Sequence, residues 1–364
     1  MISKKIKAII AAGGTGGHLF PALAVAEEFQ ARINGSFEAF FVGNPNKLES
    51  RIVPEQGYSF SPIPITGFRG VLTPSTLTLP YRIFKSVLTI RNLIKKNKPD
   101  FVLCTGAYLS FPAGLAAKQM GIPLVLMESN VFPGKTIKML SPKADLIITT
   151  FEESTKYFPE NTHKNIKCLG NPLRKMFDNM PSKEEAREQF GLDKNKTTVL
   201  IFGGSLGARA INQAARTAFE QFKSDDVQFI WQTGNDFRLN SELPANVKML
   251  KFIDNMATAY AAADLVVARS GATTVAELCY TSKPSILIPL PSASNNEQAS
   301  NAEELTKQGA AILIDNSEVG AILGDKIREI INDINKLEYM AKAADKLAKR
   351  DAAEQSVNAI LLKL

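Results

Sequence analysis

Two glycine-rich segments and one histidine are the residues whose types and spacing most clearly indicate chemistry. The first segment reads Gly13-Gly-Thr-Gly-Gly-His18 and follows an apolar run, and Gly203-Gly-Ser-Leu-Gly-Ala208 does the same in the other half of the chain. A strand that enters a glycine turn before a helix lets backbone N–H groups approach an anion or a sugar closely. The sequence therefore predicts two ligand-binding turns, with tight turns that serve packing alone as the alternative.

His18 stands where the first glycine segment meets its helix, and it is one of only two histidines in the chain. The positive end of a helix disfavours an imidazolium, so a neutral His18 can accept a proton or donate a hydrogen bond. A histidine that only caps or packs the turn is the alternative. His163 lies in a polar stretch and is expected to be an exposed linker residue.

The common nucleotide-binding motifs fit this chain poorly. A dinucleotide fingerprint in the first segment would need a glycine where Leu19 stands, and the second predicted strand ends without the ribose-binding acid. Residues 129–136 end like a phosphate-binding loop, but Ser129 replaces the first glycine and Pro133 removes an N–H group. A nicotinamide dehydrogenase and a P-loop NTPase are therefore disfavoured.

The sequence predicts neither a metal nor a cofactor. No Asp-x-Asp pair occurs, so the carboxylates with which many nucleotide-sugar enzymes hold a metal on the diphosphate are missing. The cysteines lie far apart, which indicates neither a disulfide framework nor a zinc site and is typical of a reducing cytoplasm. Helix N-termini and basic side chains would then neutralise a bound diphosphate, and Arg174 and Arg269 are available.

Short apolar runs alternate with helical periodicity along the whole chain, which predicts parallel sheets with crossover helices. Predicted strands cover residues 6–12, 37–42, 101–104, 123–127, 146–149, 198–202, 228–231, 248–251, 265–268, 285–289 and 310–314. Predicted helices begin near residues 20, 47, 80, 111, 135, 208, 256, 273, 295, 318 and 353. The pattern predicts an α/β fold with two Rossmann-like domains, a boundary within residues 159–167, and a ligand-binding cleft between the domains.

Charge is distributed unevenly between the halves. Residues 1–164 carry 19 Lys and Arg against 11 Asp and Glu, a net charge of +8, while the remainder of the chain carries −1. An anionic membrane surface or a polyanion explains such a bias, and a basic face kept for solubility is the alternative.

Eight short segments, none specific alone, occur together and in order. On these segments the chain resembles the MurG family, peptidoglycan glycosyltransferases that add N-acetylglucosamine to a lipid-linked muramyl-pentapeptide. They include Gly-Gly-Thr-Gly-Gly-His-Leu-Phe-Pro from residue 13 and Arg-Ser-Gly-Ala-Thr-Thr-Val-Ala-Glu from residue 269. The full set covers residues 13–21, 105–108, 128–130, 170–174, 203–208, 252–253, 269–277 and 298–302.

The resemblance implies the GT-B architecture, two Rossmann-like domains with parallel sheets around a deep cleft. Residues 1–165, joined by the C-terminal helix 352–364, would bind the acceptor and the membrane, and residues 166–351 would bind the UDP-sugar. The implied reaction is an inverting transfer of N-acetylglucosamine from UDP-N-acetylglucosamine to the muramyl 4-hydroxyl of the undecaprenyl-diphosphate-linked muramyl-pentapeptide. This step of cell-wall biogenesis, on which cell shape and division depend, would occur at the cytoplasmic face of the bacterial membrane, with no nucleic acid as a partner.

The resemblance also implies a set of donor-binding residues. Ile253 would read uracil through its backbone, and Glu277 would accept hydrogen bonds from the ribose hydroxyls. Ser205 would bind the diphosphate, with Arg174 nearby for charge. The sugar would be bound by Gln298, Asn130 and the turn of Ala272 and Thr273. On the acceptor side, the donor would face Thr15, Gly16 and Gly17.

The acceptor diphosphate would be bound by Gly14, Gly106 and Tyr108. The family usually has Gly-Gly-Tyr in this middle loop, so Ala107 tests whether the backbone must approach the diphosphate closely. The direct displacement needs a general base within hydrogen-bond reach, for which His18 is the first candidate and Glu128 the second. Glu297, which stands where some relatives have Gln or His, is not expected to be a ligand.

A membrane-docking segment is expected within residues 67–85. Apolar residues in a Pro-rich loop, followed by basic ones, let a protein dock on anionic lipid without spanning the membrane. The docking residues would be Phe68, Val71, Leu72, Leu77, Leu79, Arg82 and Lys85. Packing of the apolar residues beneath the domain is the alternative.

Three other functions compete with this interpretation. A GT-B lipid glycosyltransferase with a diacylglycerol acceptor shares the sugar-nucleotide features but has less use for a diphosphate site in the middle loop. A nucleotide-sugar epimerase does not explain the ordered segments. A non-catalytic membrane-recruiting subunit is expected to lack either the donor or the acceptor residues, and this chain has both.

Overall fold

The computed structural model of the protein describes residues 5–33, 36–65, 78–222, 227–239, 242–291 and 296–364. The chain divides into two compact units, of which the first comprises Met1–Lys175 with Asp351–Leu364 and the second Met176–Arg350. The first unit reaches past the predicted boundary at residue 165 because Ile166–Cys168 forms a strand of its sheet.

The first unit is built on a seven-stranded sheet whose described pairings are all parallel, in the order β3-β2-β1-β4-β5-β6-β7. Its central strands are apolar and buried, as expected of a parallel sheet covered on both faces. The strands are β1 Ile6–Ala11, β2 Phe37–Gly43, β3 Ser59–Pro62, β4 Phe101–Cys104, β5 Leu124–Glu128, β6 Leu146–Thr149 and β7 Ile166–Cys168.

Helices cover both faces of this sheet and create two buried apolar clusters, one around Phe29, Phe41 and Phe101 and one around Ile90, Val102 and Leu126. The described helices of the first part of the chain are α1 Gly16–Arg32, α2 Leu48–Glu55, α3 Leu79–Asn97, α4 Ser110–Gln119 and α5 Lys135–Leu140.

The second unit repeats the plan with a six-stranded parallel sheet in the order β10-β9-β8-β11-β12-β13. Its strands are β8 Thr197–Phe202, β9 Val227–Gln232, β10 Val247–Leu250, β11 Leu265–Ala268, β12 Ser285–Leu287 and β13 Ala311–Leu313. The described helices are α6 Lys183–Gln189, α7 Arg209–Gln221, α8 Met256–Ala262, α9 Ala272–Tyr280, α10 Glu297–Lys307, α11 Val319–Ile331 and α12 Ile334–Lys346.

The C-terminal helix, α13 Ala352–Leu361, belongs to the first unit. Val357 and Ile360 are buried in the same cluster as Phe29. Arg32 of α1 donates a hydrogen bond to Asn358 Oδ1 and pairs with Glu354, so polar contacts hold the helix at the edge of that cluster.

Every predicted strand is present, and the structure adds β3, β7, α6 and α12. The apolar pattern does not predict β3 and β7 because both are short strands at the edges of the sheet, and β3 ends in Pro62. Helix α6 does carry a sequence signal, since Ser182 and Glu185 form a capping box.

Candidate functional site

Each sheet places two loops side by side at its centre. In the first sheet β1 lies between β2 and β4, and Ala11 is in register with Cys104. In the second sheet β8 lies between β9 and β11, and Phe202 is in register with Ala268. Parallel sheets bind ligands outside the carboxyl ends of their strands where the strand order reverses. The two glycine segments begin at these points.

His18 lies in the first turn of α1, half-buried, beside the loop that follows β4. Its Nδ1 shares a hydrogen bond of 3.1 Å with Thr15 Oγ1, and its backbone carbonyl accepts one of 2.7 Å from Thr105 Oγ1. Desolvation lowers the pKa of His18 to about 4, so the ring is neutral near pH 7. With the proton on Nδ1, Nε2 keeps a lone pair with which it can act as a base.

The middle loop, residues 105–109, is held by internal hydrogen bonds. Gly106 N–H donates to Ser110 Oγ, and a Cβ at Gly106 would lie 2.6 Å from His18 Cδ2. The hydroxyl of Tyr108 accepts from Asn44 Nδ2 at 3.4 Å. Ala107 has a φ of 55°, in the left-handed region that favours glycine.

The predicted acceptor diphosphate site gains no support from this geometry. Gly14 N–H donates to Glu49 Oε2 at 3.0 Å, and Gly106 N–H is taken by Ser110. A phosphate at these two groups would have to displace both partners, and at Gly14 it would also meet the carboxylate of Glu49. The assignment of Tyr108 to the acceptor stays a prediction.

Glu128, the second candidate base, is buried at the end of β5 and organises the next loop. Its Oε1 accepts hydrogen bonds from the backbone and side-chain N–H groups of Asn130, and its Oε2 accepts one from Gly134 N–H at 2.8 Å. A carboxylate with three such donors is held as a loop support, which favours His18 as the base. Asn130, the predicted sugar ligand, is positioned by the same contacts.

Arg174 lies in the first unit, where another side chain balances its charge. Its Nε and Nη2 donate to Glu27 Oε1 at 2.8 and 2.6 Å, and Nη2 also donates to Gln56. This ion pair joins Arg174 to α1, and both of its side chains are half-buried. The structure thus gives Arg174 a role in joining residues 170–175 to the first unit and does not support its predicted role beside the donor diphosphate.

The second glycine loop is open on one side. Apart from Gly204 and its two chain neighbours, no described residue has an atom within 4 Å of the place where a Cβ at Gly204 would stand. Gly204 also has a φ of 90°, which favours glycine, and its carbonyl accepts a hydrogen bond from Gln232 Nε2. Ser205 is half-buried beside it, and Leu206 is 87% exposed at the tip. Space is therefore present at Gly204 and Ser205 for a phosphate.

Arg269 follows β11, next to the start of the second glycine loop, and is buried. Its Nη1 donates to the carbonyls of Ile288 and Pro289, both at 2.9 Å, while its Nε has no hydrogen-bond partner among the described residues. Desolvation lowers its pKa, but a guanidinium stays charged in proteins. It thus supplies positive charge at the second switch point.

The predicted sugar ligand Gln298 is oriented by its neighbours. Its Oε1 accepts from Leu290 N–H at 3.0 Å, so its side-chain NH₂ group is left as the donor. Ser270 Oγ donates to its carbonyl at 2.7 Å, and Asn301 Nδ2 donates to the carbonyl of Ser270. The turn of Ala272 and Thr273 begins α9 just beyond, so these predicted ligands share one end of the second sheet.

Glu277, the predicted ribose ligand, is paired with a tyrosine that sequence reasoning missed. Tyr260 of α8 is fully buried, and its hydroxyl donates to Glu277 Oε2 at 2.9 Å. Burial raises the pKa of Glu277 to about 7, with the Tyr260 hydrogen bond acting in the opposite direction. Ile253, by contrast, already donates its backbone N–H to Gln232 Oε1 at 2.8 Å, which leaves its carbonyl for base recognition.

The predicted membrane-docking residues are only partly described. Phe68, Val71, Leu72 and Leu77 lie outside the described residues. Leu79, Arg82 and Lys85 lie on α3, and the same helix exposes Tyr81 (65%), Phe84 (61%) and Leu88 (40%). None of the described helices is both long and apolar enough to cross a bilayer.

Within the part of the chain that the structure describes, no three His, Cys, Asp or Glu side chains are grouped so that they could hold a metal ion. Burial raises the pKa values of Cys104 and Cys279 to about 12, which makes both thiols poor nucleophiles. His163 is tied to the carbonyl of Phe158 at 3.1 Å.

Glu49, Asn44, Gln232 and Tyr260 are the polar residues at these sites that the sequence pattern did not single out. Gln232 had a signal, because it ends a strand at the carboxyl edge of the sheet. Tyr260 is the only aromatic residue in its alanine-rich helix, whereas nothing local distinguishes Glu49.

Comparison with known proteins gives matches over most of the chain. Residues 8–149 match the N-terminal domain of glycosyltransferase family 28, and residues 198–356 match its C-terminal domain. The chain is 39% identical to a protein of Myxococcus xanthus, over 96% of this chain and 91% of that protein. It is 37% identical to one of Halothermothrix orenii, over 98% of each.

Both relatives carry the name UDP-N-acetylglucosamine–N-acetylmuramyl-(pentapeptide) pyrophosphoryl-undecaprenol N-acetylglucosamine transferase. The crystal structure of Acinetobacter baumannii MurG is similar, with a TM-score of 0.75 and 29% identity over 99% of this chain and 100% of that one. Together with the two parallel sheets, these matches confirm the predicted fold class, two Rossmann-like domains of the GT-B architecture.

Proposed function

The chain belongs to glycosyltransferase family 28, and we propose that it acts as a peptidoglycan glycosyltransferase. It transfers N-acetylglucosamine from UDP-N-acetylglucosamine to the 4-hydroxyl of the muramyl-pentapeptide that is linked to undecaprenyl diphosphate, with inversion at the anomeric carbon. One observation carries this proposal: relatives with this transferase name align with almost the whole chain at 37–39% identity.

The second unit supplies the residues for the donor nucleotide. The open side of Gly204, the Ser205 hydroxyl and the buried charge of Arg269 suit a diphosphate, because N–H groups at a helix start and a guanidinium both stabilise phosphate. Glu277 accepts from the ribose hydroxyls, and the carbonyl of Ile253 contacts uracil. The side-chain NH₂ of Gln298 donates to the sugar, next to Ala272 and Thr273.

The first unit supplies the base for the acceptor hydroxyl. A neutral His18 takes the proton of the muramyl 4-hydroxyl at Nε2 while Nδ1–H is held by Thr15, so the oxygen becomes a stronger nucleophile as the C–O bond to UDP breaks. Burial disfavours the imidazolium that forms, so His18 gives the proton up again after the transfer.

Docking on the cytoplasmic face of the membrane is part of the proposal. Tyr81, Phe84 and Leu88 are exposed on a helix that also carries Arg82 and Lys85. Exposed aromatic and aliphatic side chains beside basic ones suit the surface of an anionic bilayer, where the lipid-linked acceptor resides. Sedimentation with vesicles tests this, since binding that does not increase with the anionic lipid content would contradict it.

The reaction itself is tested with purified protein, labelled UDP-N-acetylglucosamine and an acceptor analogue whose lipid chain is short enough to dissolve. We expect label on the muramyl sugar in a β linkage and release of UDP. A parallel reaction contains diacylglycerol in place of the muramyl acceptor. Transfer to diacylglycerol, or to neither acceptor, would overturn the proposed function.

A further inference from the structure

Glu49 lies inside the first glycine loop, although it belongs to a different element, α2. Its side chain is fully buried. Oε2 accepts a hydrogen bond of 3.0 Å from Gly14 N–H, and Oε1 accepts one of 2.9 Å from Asn44 N–H, just after β2. One carboxylate therefore joins the loops that follow two neighbouring strands.

The glycines around this carboxylate make room for it. A Cβ at Gly13 would lie 2.3 Å from Glu49 Cδ and 2.5 and 2.7 Å from its two oxygens. A Cβ at Gly43 would lie 2.5 Å from Glu49 Cγ. Contacts this short cannot be relieved by a small shift, so both positions require glycine as long as Glu49 keeps its place.

The contacts continue from Asn44 to the middle loop. Asn44 Nδ2 donates to Tyr108 OH at 3.4 Å and to the carbonyl of Ile65 at 3.2 Å. The loop after β1, the end of β2 and the loop after β4 are thus connected through Glu49 and Asn44. The loop after β1 leads directly into Thr15 and His18.

We propose that Glu49 is a positioning residue for the transfer reaction, whose carboxylate takes the place that a bound phosphate has in other glycine loops of this type. Its oxygens accept from Gly14 N–H in the glycine loop and from Asn44 N–H in the adjacent loop, and backbone N–H groups at such turns also donate to phosphate oxygens. The carboxylate also repels a second anion, so this loop presents Thr15 and His18 to an uncharged hydroxyl. The inference rests on the proposed function, because it assigns the loop to the acceptor hydroxyl.

The test compares Glu49→Ala with the wild-type enzyme in the transferase assay with the soluble acceptor. Removing the carboxylate frees two N–H groups and lets the loop move, so kcat should fall by at least about tenfold. The KM for UDP-N-acetylglucosamine should change less than about twofold, because the nucleotide-binding residues belong to the other unit. Glu55→Ala, at the exposed end of the same helix, is the matched control and should retain wild-type kinetics.

Formate and acetate distinguish positioning from packing. Added to Glu49→Ala, either anion should enter the vacated space, accept the two N–H bonds and restore part of kcat, whereas chloride at equal ionic strength should not. Unchanged kcat in Glu49→Ala would overturn the proposal. So would a loss of kcat that no carboxylate restores in a variant that remains folded by circular dichroism.

Glu49→Gln provides a second measurement if the Ala variant unfolds. Its carboxamide fills the space but sets an NH₂ group against one of the two N–H donors, so kcat should fall while the donor KM stays constant. Full activity of Glu49→Gln, or unfolding of both variants, would contradict a role confined to the loop. A wild-type enzyme without transferase activity would instead refute the proposed function, so the two failures are distinguishable.

Discussion

The two glycine loops follow corresponding strands of two similar sheets, yet their surroundings carry opposite charge. The first loop encloses the buried carboxylate of Glu49, which uses the N–H group of Gly14. The second loop is open at Gly204 and lies next to the buried guanidinium of Arg269. Both loops fit the general description of an anion-binding turn, but only the second has the space and the charge for an anion.

The difference shows that the backbone turn determines where a ligand can approach, while side chains from elsewhere determine which ligand. A glycine turn at a switch point lets a phosphate approach the backbone but does not ensure that one binds. In the first unit, the carboxylate of Glu49 already accepts the hydrogen bond of the Gly14 N–H group. Thr15 and His18 are then the side chains of this loop that can contact a substrate. In the second, the turn remains available to the donor diphosphate.

The largest effect is expected from His18→Ala. If the first loop serves catalysis and the second serves nucleotide binding, kcat should fall by about 10²- to 10⁴-fold, the usual contribution of a general base. The dissociation constant of UDP, measured by calorimetry, should not change. His163→Ala is the control, because the described contact of that side chain is a hydrogen bond with the nearby carbonyl of Phe158.

Two outcomes would contradict this assignment. Normal turnover in His18→Ala would remove His18 as the base. Weaker UDP binding with unchanged kcat would mean that the first loop, and not the second, holds the nucleotide.

A second test concerns two carboxyl groups, those of Glu49 and Glu277. Glu49 accepts two backbone N–H bonds, whereas the described partner of Glu277 is one phenol, and burial raises the pKa of Glu277 to about 7. A raised folded-state pKa means that the folded protein loses stability as pH rises from the ordinary value through 7, because the buried carboxyl must ionise.

Glu277→Gln cannot ionise, so its free energy of unfolding relative to wild type should increase with pH. Between about pH 5 and about pH 8 we expect a relative gain on the order of 1–3 kcal/mol. Urea unfolding of both proteins at the two pH values measures it. A difference that is independent of pH would show that Glu277 ionises as readily as an exposed carboxyl.

A third and smaller effect is expected from Tyr260→Phe, which keeps the ring and removes one hydrogen bond to Glu277. If this bond orients the carboxylate toward ribose, the donor KM should rise by about three- to tenfold, the value of one hydrogen bond, with kcat unchanged. The preference for UDP-N-acetylglucosamine over its 2′-deoxy analogue should shrink in the same variant. Tyr280→Phe is the matched control, since its hydroxyl bonds Asp178 instead. An unaltered preference in Tyr260→Phe would assign the pair to packing.

The sequence predicts the positions of these two loops better than it predicts which side chains contact them. Central strands such as β1 and β8 are mostly apolar, so their ends, and with them the two glycine loops, can be located from pattern alone. Glu49 could not be found in this way, because it reaches Gly14 from 35 residues along the chain. The ion pair of Arg174 could not be predicted either, since its partner Glu27 is 147 residues away.

The smallest predicted effect concerns the loops that accompany the two glycine turns. The loop after β4 places Ala107 at a φ of 55°, whereas the loop after β11 has Gly271 at a φ of −62°, where any residue fits. Ala107→Gly should relieve the left-handed conformation and raise the free energy of unfolding by up to about 1 kcal/mol, less the entropy that glycine adds to the unfolded chain.

Ala341→Gly, in the helix Ile334–Lys346, is the control and should lower the free energy of unfolding by about 1 kcal/mol, since glycine weakens a helix interior. Urea unfolding measures both changes in the free energy of unfolding. Opposite signs for the two substitutions would show that the backbone is strained at Ala107. The transfer rate of Ala107→Gly should remain at the wild-type level, because the hydrogen bonds between the Gly106 backbone and the Ser110 hydroxyl hold the loop and the substitution leaves them intact. A destabilised Ala107→Gly would instead mean that the methyl group stabilises the loop by more than the left-handed conformation costs.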